Sequence, residues 1–355
     1  MTTVDFQLNW EPNGFQAPYF LARERGFYAD EGLDVRFVEG HGSPFAAEQA
    51  AKGRAEFALA GASAVLAVQS RGLEPLAVAA VTGKTPAAIY TLRDVFGEPL
   101  ERPAQLAGRT IAPSATKTRI LTAQLLEDEG IREEVDLLGV DDHTHHRVQH
   151  KLLDGEVDAA VGVVTNGFEL EREHDRTADE LPIGEYLDVY GMTVVTEPAF
   201  ARENPETVRA FLRATARGWE AATRDPEDAI DVLVGRNATL ERRRSVERRK
   251  FETAATDLQF TDAVRREGWG THDGERWRTL GRTLAETDLL EGEIDPDAAW
   301  TNEFVDREAD VVRNYAERVE GGAVAEPERG AGTEAEAEAD AETGTEADPG
   351  SEVEP

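Results

Sequence analysis

Two stretches of the chain carry the same alternation of apolar strand patterns and helical patterns, and this alternation limits the fold more than any other feature. The first stretch spans residues 4–59 and the second spans residues 110–163. Each has the order strand, helix, strand, helix, strand. That order predicts parallel strands joined by right-handed crossovers, and therefore an α/β sheet in each half of the chain.

The two stretches also share a local signature. The first series is predicted as strand 4–8, helix 18–25, strand 33–38, helix 45–51 and strand 56–59, and the second as strand 110–112, helix 118–130, strand 135–138, helix 146–153 and strand 159–163. Gly53 and Gly155 each follow a helix and precede an acidic residue and a buried strand, which suits a left-handed helix cap. We expect two equivalent lobes, although unrelated α/β units can share such turns.

Two extended segments, residues 76–92 and 188–196, can carry the chain between the lobes and back. We therefore predict a first lobe of residues 1–86 plus 192–319, a second lobe of residues 87–191, and a ligand cleft between them. Helices starting at residue 205 and covering 229–258, 273–288 and 298–319 would complete the first lobe. Residues 320–355 lack aromatic residues and are predicted to be a disordered acidic tail.

The net charge of −33 is spread over the whole chain. Residues 320–355 contribute −11 of it and residues 1–319 contribute −22, while lysine occurs five times against 33 arginines. Such dispersed acidity is typical of salt-loving archaea, in which salt screens the self-repulsion. An acidic mesophilic protein is the alternative. We expect no basic cluster and no nucleic-acid partner.

The sequence lacks the signals that are typical of several classes of protein. The chain has no cysteine, which excludes disulfides, a thiol nucleophile and a cysteine lipid anchor. No apolar run approaches the roughly 20 residues of a membrane span. Residues 1–10 lack the pattern of a signal peptide. We expect a cytoplasmic monomer, or an extracytoplasmic protein if a leader precedes Met1.

The loop after the first strand holds the first group of candidate ligand-binding residues. They are Asn9, Trp10, Glu11, Asn13 and Gln16, at the strand end where open α/β sheets bind ligands. Trp10 offers a face for stacking on an aromatic ring, worth about 1 kcal/mol beyond burial, or it is a core residue. Asn9 and Asn13 can bond a ligand or cap the turn. Glu11 is either ligand-facing or exposed.

The second group comes from the ends of later strands. Gly61 and Ser63 follow the third strand, and their backbone N–H groups can face a ligand. In the second lobe, hydroxyls, a rare lysine and a helix N-terminus converge into the best candidate anion site. Its members are Ser114, Thr116, Lys117 and Thr118. The alternative is a well-capped helix with Lys117 in solvent.

The third group follows the strand at 159–163 and the return crossing. Asn166 and Glu169 lie at a carboxyl end, where the Glu169 carboxylate can accept a hydrogen bond from a ligand. Tyr190, like Tyr186, can close over a ligand or pack in the hinge.

Histidines are concentrated at His143, His145, His146 and His150. The last two are spaced i,i+4, which can hold a divalent metal, but histidines on a solvated helix start are commoner. The sequence shows no nucleophile elbow, Walker loop or dinucleotide fingerprint. We therefore expect no catalytic residues, no metal and no cofactor.

The opening residues carry a resemblance to a known family. Asn-Trp-Glu-Pro-Asn at 9–13, Leu-Ala-Arg-Glu-Arg-Gly-Phe-Tyr at 21–28 and Glu-Gly-Leu-Asp-Val at 31–35 resemble the NMT1/THI5-like solute-binding proteins of ABC importers. The resemblance implies a two-lobed, type II periplasmic-binding fold that closes on its ligand about a hinge. The opening is more similar to thiamine-pyrimidine binders than to sulfonate binders, although pyrimidine binders often have histidine where Gln16 stands.

The family also contains pyrimidine synthases, which consume pyridoxal phosphate and one of their own histidines, with iron. The resemblance implies that their lysine and histidine would fall in the segment 59–64, where Ala60 and Ala64 stand here. Our leading hypothesis is a non-enzymatic protein that delivers a thiamine-precursor pyrimidine, or a similar heteroaromatic, to an importer permease and ATPase. The alternatives are an intracellular enzyme or sensor of thiamine-pyrimidine biosynthesis and, third, a sulfonate or taurine binder.

Overall fold

Two five-stranded sheets form the framework of the protein. The computed structural model describes residues 1–140, 145–236, 238–259, 261–286 and 290–320. The strands are β1 Thr2–Gln7, β2 Leu33–Val38, β3 Phe57–Gly61, β4 Leu76–Ala80, β5 Ala87–Leu92, β6 Thr110–Pro113, β7 Asp136–Leu137, β8 Ala159–Val163, β9 Ala178–Pro182 and β10 Met192–Thr196.

The two sheets share one topology. The strand order is β2-β1-β3-β10-β4 in the first sheet and β7-β6-β8-β5-β9 in the second. Four strands of each sheet are parallel, and one strand runs against them, β10 in the first and β5 in the second. The predicted α/β fold with two equivalent halves is therefore confirmed. We call the parts packed on these sheets the first and second lobes.

Helices cover both sheets. They are α1 Ala17–Glu24, α2 Phe27–Asp30, α3 Ser43–Ala51, α4 Ala62–Gln69, α5 Arg93–Phe96, α6 Thr116–Asp128, α7 His145–Leu153, α8 Asn166–His174, α9 Pro198–Glu203, α10 Pro205–Arg224, α11 Pro226–Val234, α12 Ala238–Arg242, α13 Arg244–Thr253, α14 Asp262–Glu267, α15 Gly274–Ala285, α16 Asp310–Arg313 and α17 Tyr315–Glu320. Within the described ranges, none has the length and apolar character that crossing a lipid bilayer requires.

Stacked aromatic rings hold α1 and α10 against the first sheet. The rings of Phe57 and Phe211 stack with centroids 4.0 Å apart, and Phe6 meets both Tyr19 and Phe211 edge-on at 5.1 Å. Each of these side chains is buried. Such pairs contribute about 1 kcal/mol each beyond the burial of their area. These contacts stabilise the first lobe, which carries the loop at residues 9–16.

The structure corrects two helix predictions. Residues 298–319 were expected to be one helix, but only α16 and α17 are helical there. Before them, Ala77 of β4 donates to the carbonyl of Ala299 (2.9 Å) and accepts from the N–H of Thr301 (3.0 Å). Strand pairing therefore satisfies a backbone whose sequence alone suggests a helix. Residues 229–258 form α11, α12, α13 and a π-helical turn, Ala254–Gln259, instead of one helix.

One strand is missing from the sequence prediction. The segment of β9 reads ADELP, and its polarity gives no strand pattern. It pairs antiparallel with β5, from Ala88 opposite Pro182 to Leu92 opposite Ala178. The predicted lobe boundaries at 86/87 and 191/192 stay predictions. The predicted tail, after Glu320, lies outside the described residues.

The two crossing segments run side by side. The N–H of Val81 donates to the carbonyl of Met192 (2.8 Å), and the N–H of Gly191 donates to that of Thr82 (3.1 Å). Arg276 of α15 contacts both crossings. It donates to the carbonyl of Gly83, and its Nε lies 2.8 Å from Asp188 Oδ1. The crossings thus form a hydrogen-bonded pair of segments between the lobes, which we call the hinge.

Candidate functional site

The loop after β1 is held in shape by its own polar side chains. Gln16 Nε2 donates to Asn9 Oδ1 (2.9 Å), and the N–H of Asn13 donates to Gln16 Oε1 (3.0 Å). Asn13 Oδ1 accepts from the N–H of Phe15 at 3.0 Å. Asn13 and Gln16 therefore act as turn residues here, and their predicted ligand contacts stay predictions.

Trp10 and Glu11 stand at the outside of this loop. Trp10 is 53% exposed, which rules out the core alternative, and Glu11 is exposed as well. The Trp10 indole is therefore open to solvent, and its predicted stacking on a ligand stays a prediction.

Lys117 crosses from the second lobe to the first. A Cβ atom added to Gly61 would lie 3.0 Å from Lys117 Nζ, and 3.7 Å from both Ser43 Oγ and the Gly191 carbonyl oxygen. Lys117 belongs to α6, whereas Gly61 ends β3 and Ser43 opens α3. Two of the predicted site residues, Lys117 and Gly61, thus meet from opposite walls. Ser43 and Gly191 were not predicted.

The loop after β1 is hydrogen-bonded to the segment beside the Lys117–Gly61 contact. The N–H of Gly42 donates to the carbonyl of Asn9 at 2.7 Å, and Ser43 is the next residue along the chain. Asn9 and the lysine contact therefore belong to one neighbourhood at the carboxyl end of the first sheet. Asn9, Ser43, Gly61 and Lys117 lie where the sequence predicts a ligand cleft, and we call the region around these four residues the cleft.

The Lys117 ammonium is partly removed from solvent and has no carboxylate partner among the described residues. The side chain is half-buried, and burial lowers the pKa of Lys117 to about 8. Within the described part of the chain, no carboxylate lies within 4.0 Å of Nζ. Because a desolvated charge is costly without a partner, this ammonium is suited to a ligand oxygen or ring nitrogen. The solvent-facing alternative does not describe Lys117.

Other predicted members of the anion site have local roles. Thr118 Oγ1 donates to the carbonyl of Ala115 (2.8 Å) and accepts from its N–H (3.1 Å), so it caps α6. Ser114 is partly buried and Thr116 is exposed, while Ser63 is buried in the first turn of α4. Their predicted ligand contacts stay predictions.

A strained residue follows β8. Thr165 has φ +84°, an unusual conformation for a β-branched residue. Its side chain is buried, and its hydroxyl has no hydrogen-bond partner among the described residues. Strain of this kind costs about 1–3 kcal/mol and is concentrated at functional sites. The sequence gives no signal for it. The next residue, Asn166, accepts from the N–H of Val163 at 2.8 Å.

Glu169 is engaged by cations. Its carboxylate lies 2.7 Å from Lys250 Nζ and 3.3 Å from Arg243 Nη2. These cations belong to residues 241–250, ERRRSVERRK, so the expectation that the chain has no basic cluster is wrong. The acceptor role predicted for Glu169 stays a prediction, while the structure shows an ion pair.

Tyr190 lies in the core of the hinge. Its hydroxyl accepts from the N–H of Asp273 at 2.7 Å, and the Arg276 guanidinium lies 4.0 Å from its ring centroid. Tyr186 is 42% exposed. Hinge packing is thus the role that the structure shows for Tyr190, and its ligand contact stays a prediction.

One cavity lies at the hinge and does not coincide with the cleft. It measures about 520 Å³ and is lined by residues that include Lys84, Tyr186, Arg266 and Arg276. Lys84 pairs with Glu185 at 2.6 Å on its rim. Because neither strand-end loop contributes to it, this cavity is distinct from the predicted ligand site.

Two of the four clustered histidines have described side chains. His143 lies outside the described residues, whereas His146 and His150 are exposed on α7. The side chain of His145 is also outside the description. In the described ranges, no group of three or more His, Asp or Glu side chains has the arrangement to hold a metal ion.

Two mixed five-stranded sheets of one topology, flanked by helices and joined by two crossing segments, define the periplasmic-binding-protein class of fold. The chain belongs to the NMT1/THI5-like family, because the model of that family matches residues 13–229. The periplasmic aliphatic sulphonate-binding protein SsuA of Escherichia coli shares the fold with a TM-score of 0.66 at 14% identity. The alignment covers 84% of this chain and 92% of that protein.

Several curated proteins are similar over much of the chain. The formylaminopyrimidine-binding protein of Halalkalibacterium halodurans is 24% identical over 85% of this chain and 90% of its own. The riboflavin-binding protein RibY of Chloroflexus aurantiacus is 25% identical, over 85% and 86%. The 4-amino-5-hydroxymethyl-2-methylpyrimidine phosphate synthase THI13 of Saccharomyces cerevisiae is 25% identical, over 64% and 68%.

Proposed function

We propose that this protein binds a thiamine-precursor pyrimidine, or a similar flat heteroaromatic, in the cleft and delivers it to an ABC importer. Two relatives named for binding small molecules, formylaminopyrimidine and riboflavin, support the ligand class. Both of those molecules contain a flat nitrogen heterocycle. The permease and ATPase of an importer would be the partners.

The observation that carries the proposal is the approach of Lys117 to Gly61 across the cleft. It places a donor from one wall over a small residue of the other, with an exposed indole on the neighbouring loop. A flat ring can stack on Trp10. The Lys117 ammonium can then donate to a ring nitrogen or a formyl oxygen, and Asn9 can pair with an exocyclic amine.

The synthase alternative has little support from the residues. The resemblance implied that the synthase residues would fall at 59–64, in the helix after the third strand. Ala60 lies in β3 instead, and that helix begins only at Ala62. The helix itself, α4, reads ASAVLAVQ and contains neither lysine nor histidine. The two residues that the synthases consume or modify have no counterpart there. Appearance of a pyrimidine product after incubation with pyridoxal phosphate and iron would establish the enzyme instead.

Tryptophan fluorescence at high salt tests the proposal. Formylaminopyrimidine and hydroxymethylpyrimidine are expected to change the emission of the wild-type protein saturably. The variant Trp10→Phe keeps a stacking ring and retains binding, whereas Trp10→Ala weakens it roughly tenfold or more. Calorimetry supplies the affinity of variants that lack the Trp10 signal. Absence of binding by either pyrimidine would remove this ligand class.

A second candidate is favoured by the same lysine. An ammonium without a carboxylate partner among the described residues suits a sulfonate or another small anion as well. Competition by taurine, lost in Lys117→Met, would favour this alternative. Taurine that fails to compete even at millimolar concentration leaves the heteroaromatic proposal in place.

A further inference from the structure

A buried chain of charges connects the lobes. Lys250 Nζ of α13 lies 2.7 Å from Glu169 Oε1 of α8 and 3.8 Å from Glu247 Oε1 of its own helix. The three side chains are only 12%, 9% and 2% exposed, respectively. Since α13 packs on α11 and on the loop at residues 14–16, the contact to α8 is made between the first lobe and the second.

Burial makes this pair different from the other ion pairs of α13. Arg248 pairs with Glu227 and Glu252, all within the first lobe, and it is 48% exposed. Surface pairs of that kind contribute little, whereas removing one partner of a buried pair leaves an uncompensated charge. Lys250 lies between two buried carboxylates, Glu169 and Glu247, and the more exposed Arg243 lies 3.3 Å from the first of them.

One of these carboxylates also contacts the loop at residues 9–16, which we call the ligand loop. Glu247 Oε2 accepts from the N–H of Gly14 at 2.7 Å. A Cβ atom on Gly14 would lie 1.9 Å from the carbonyl oxygen of Glu247, so only glycine allows the loop to approach the helix this closely. The loop that carries Asn9 and Trp10 is therefore seated on the helix that reaches Glu169.

We propose that Lys250 is a positioning residue that latches the two lobes in the closed state. It ties α8, directly after the strained Thr165, to the helix on which the ligand loop rests. Opening the cleft would hydrate Glu169 and Lys250 separately. Removal of Lys250 therefore penalises the closed state more than the open one, and ligand binding, which requires closure, weakens with it. The link to ligand affinity rests on the proposed function, while the link to closure does not.

The absence of cysteine allows a direct test. Asp34 on β2 and Glu133 beside β7 are exposed at the outer edges of the two sheets. Cysteines introduced at both positions can carry spin labels, and pulsed electron paramagnetic resonance then measures the distance between the lobes. The full-length protein is compared with Lys250→Met and Glu169→Gln, and with Arg248→Met as the matched control that loses a cation and its ion pairs within one lobe.

The latch predicts longer or broader distances in Lys250→Met and Glu169→Gln without ligand, and an unchanged distribution in Arg248→Met. Where formylaminopyrimidine binds the wild type, its dissociation is expected to accelerate at least about tenfold in the first two variants only. If Lys250→Met fails to fold, Glu169→Gln, which keeps the shape of the side chain, decides the question. Distances identical in all four proteins would overturn the latch. Failure of the wild type to bind the pyrimidine would instead count against the proposed function alone.

Discussion

At the scale of single residues, the proposed binding of a ligand in the cleft depends on Lys117. Its pKa, lowered to about 8 by burial, means that the ammonium is present at neutral pH and is lost as the pH rises above 8. A ligand that accepts from this ammonium should bind most tightly below pH 8. We expect its affinity to fall by up to about tenfold for each pH unit above that value. Calorimetric titrations between pH 7 and pH 9.5 measure it.

The control for this prediction is Lys117→Met, which has no titrating group at the position. Its affinity should be lower at pH 7 and nearly independent of pH. An identical pH profile in the wild type and Lys117→Met would show that the lysine does not contact the ligand.

His272 provides a second prediction at this scale. Its Nδ1 accepts from Trp277 Nε1 at 3.1 Å, and burial lowers the pKa of His272 to about 3. The folded protein thus keeps the imidazole neutral, while the unfolded chain takes up a proton below about pH 6.5. The stabilisation is complete above pH 6.5 and is lost as the pH falls toward 3.

We expect His272→Gln, whose side-chain oxygen can accept from the same indole, to remove this part of the pH dependence. Between pH 7.5 and pH 5.5 the unfolding free energy of the wild type should fall by about 1.4 kcal/mol more than that of the variant. Denaturant unfolding at both pH values checks the difference. Parallel changes in the two proteins would show that His272 is protonated in the fold.

At the scale of elements, the packing of the ligand loop against α13 determines the position of the first wall of the cleft. Gly14→Ala would place a methyl group against the Glu247 carbonyl. The loop must then shift, and we expect a loss of roughly 1–3 kcal/mol of stability together with weaker ligand binding. Thermal unfolding and calorimetry measure the two effects.

Gly26→Ala is the matched control. Gly26 has φ +74° and no atom within 4 Å of an added Cβ, so this substitution costs stability by strain alone. It should leave binding unchanged. Equal losses of affinity in both variants would mean that general destabilisation, and not the loop, weakens binding.

The elements also show what the sequence could and could not predict. The apolar patterns located β2 and β8 at their observed bounds, because β2 alternates between buried and exposed residues and β8 is an almost continuous buried run. By contrast, β9 is polar and depends on β5 for its pairing, and the backbone near Trp300 depends on β4. Those strands form through tertiary pairing, which overrides local propensity.

The site was predictable to a similar extent. Gly61 and Lys117 could be selected because they follow strand ends, which the fold brings to one cleft. Ser43, Thr165 and Lys250 could not be selected. Their positions depend on loop conformation, backbone strain and a long-range ion pair, none of which leaves a periodic pattern. The exposure of Trp10 likewise required the structure.

At the scale of the whole molecule, the net charge of −33 acts on stability. Self-repulsion favours the expanded chain, and salt screens it. We expect Tm to rise by at least about 5 °C between 0.2 M and 2 M KCl. Differential scanning calorimetry measures it, with sorbitol at matched osmolality as the control for effects unrelated to charge. An unchanged Tm in KCl would contradict the expected salt adaptation.

For the molecule as a whole, the central proposal is that a flat ligand is held between Trp10 on one wall of the cleft and Lys117 on the other. A crystal structure grown at high salt with saturating formylaminopyrimidine tests it most directly. The account predicts the ring against the Trp10 indole, with a ligand oxygen or nitrogen within about 3.2 Å of Lys117 Nζ. Ligand density in the hinge cavity beside Arg276, with the cleft unliganded, would contradict it.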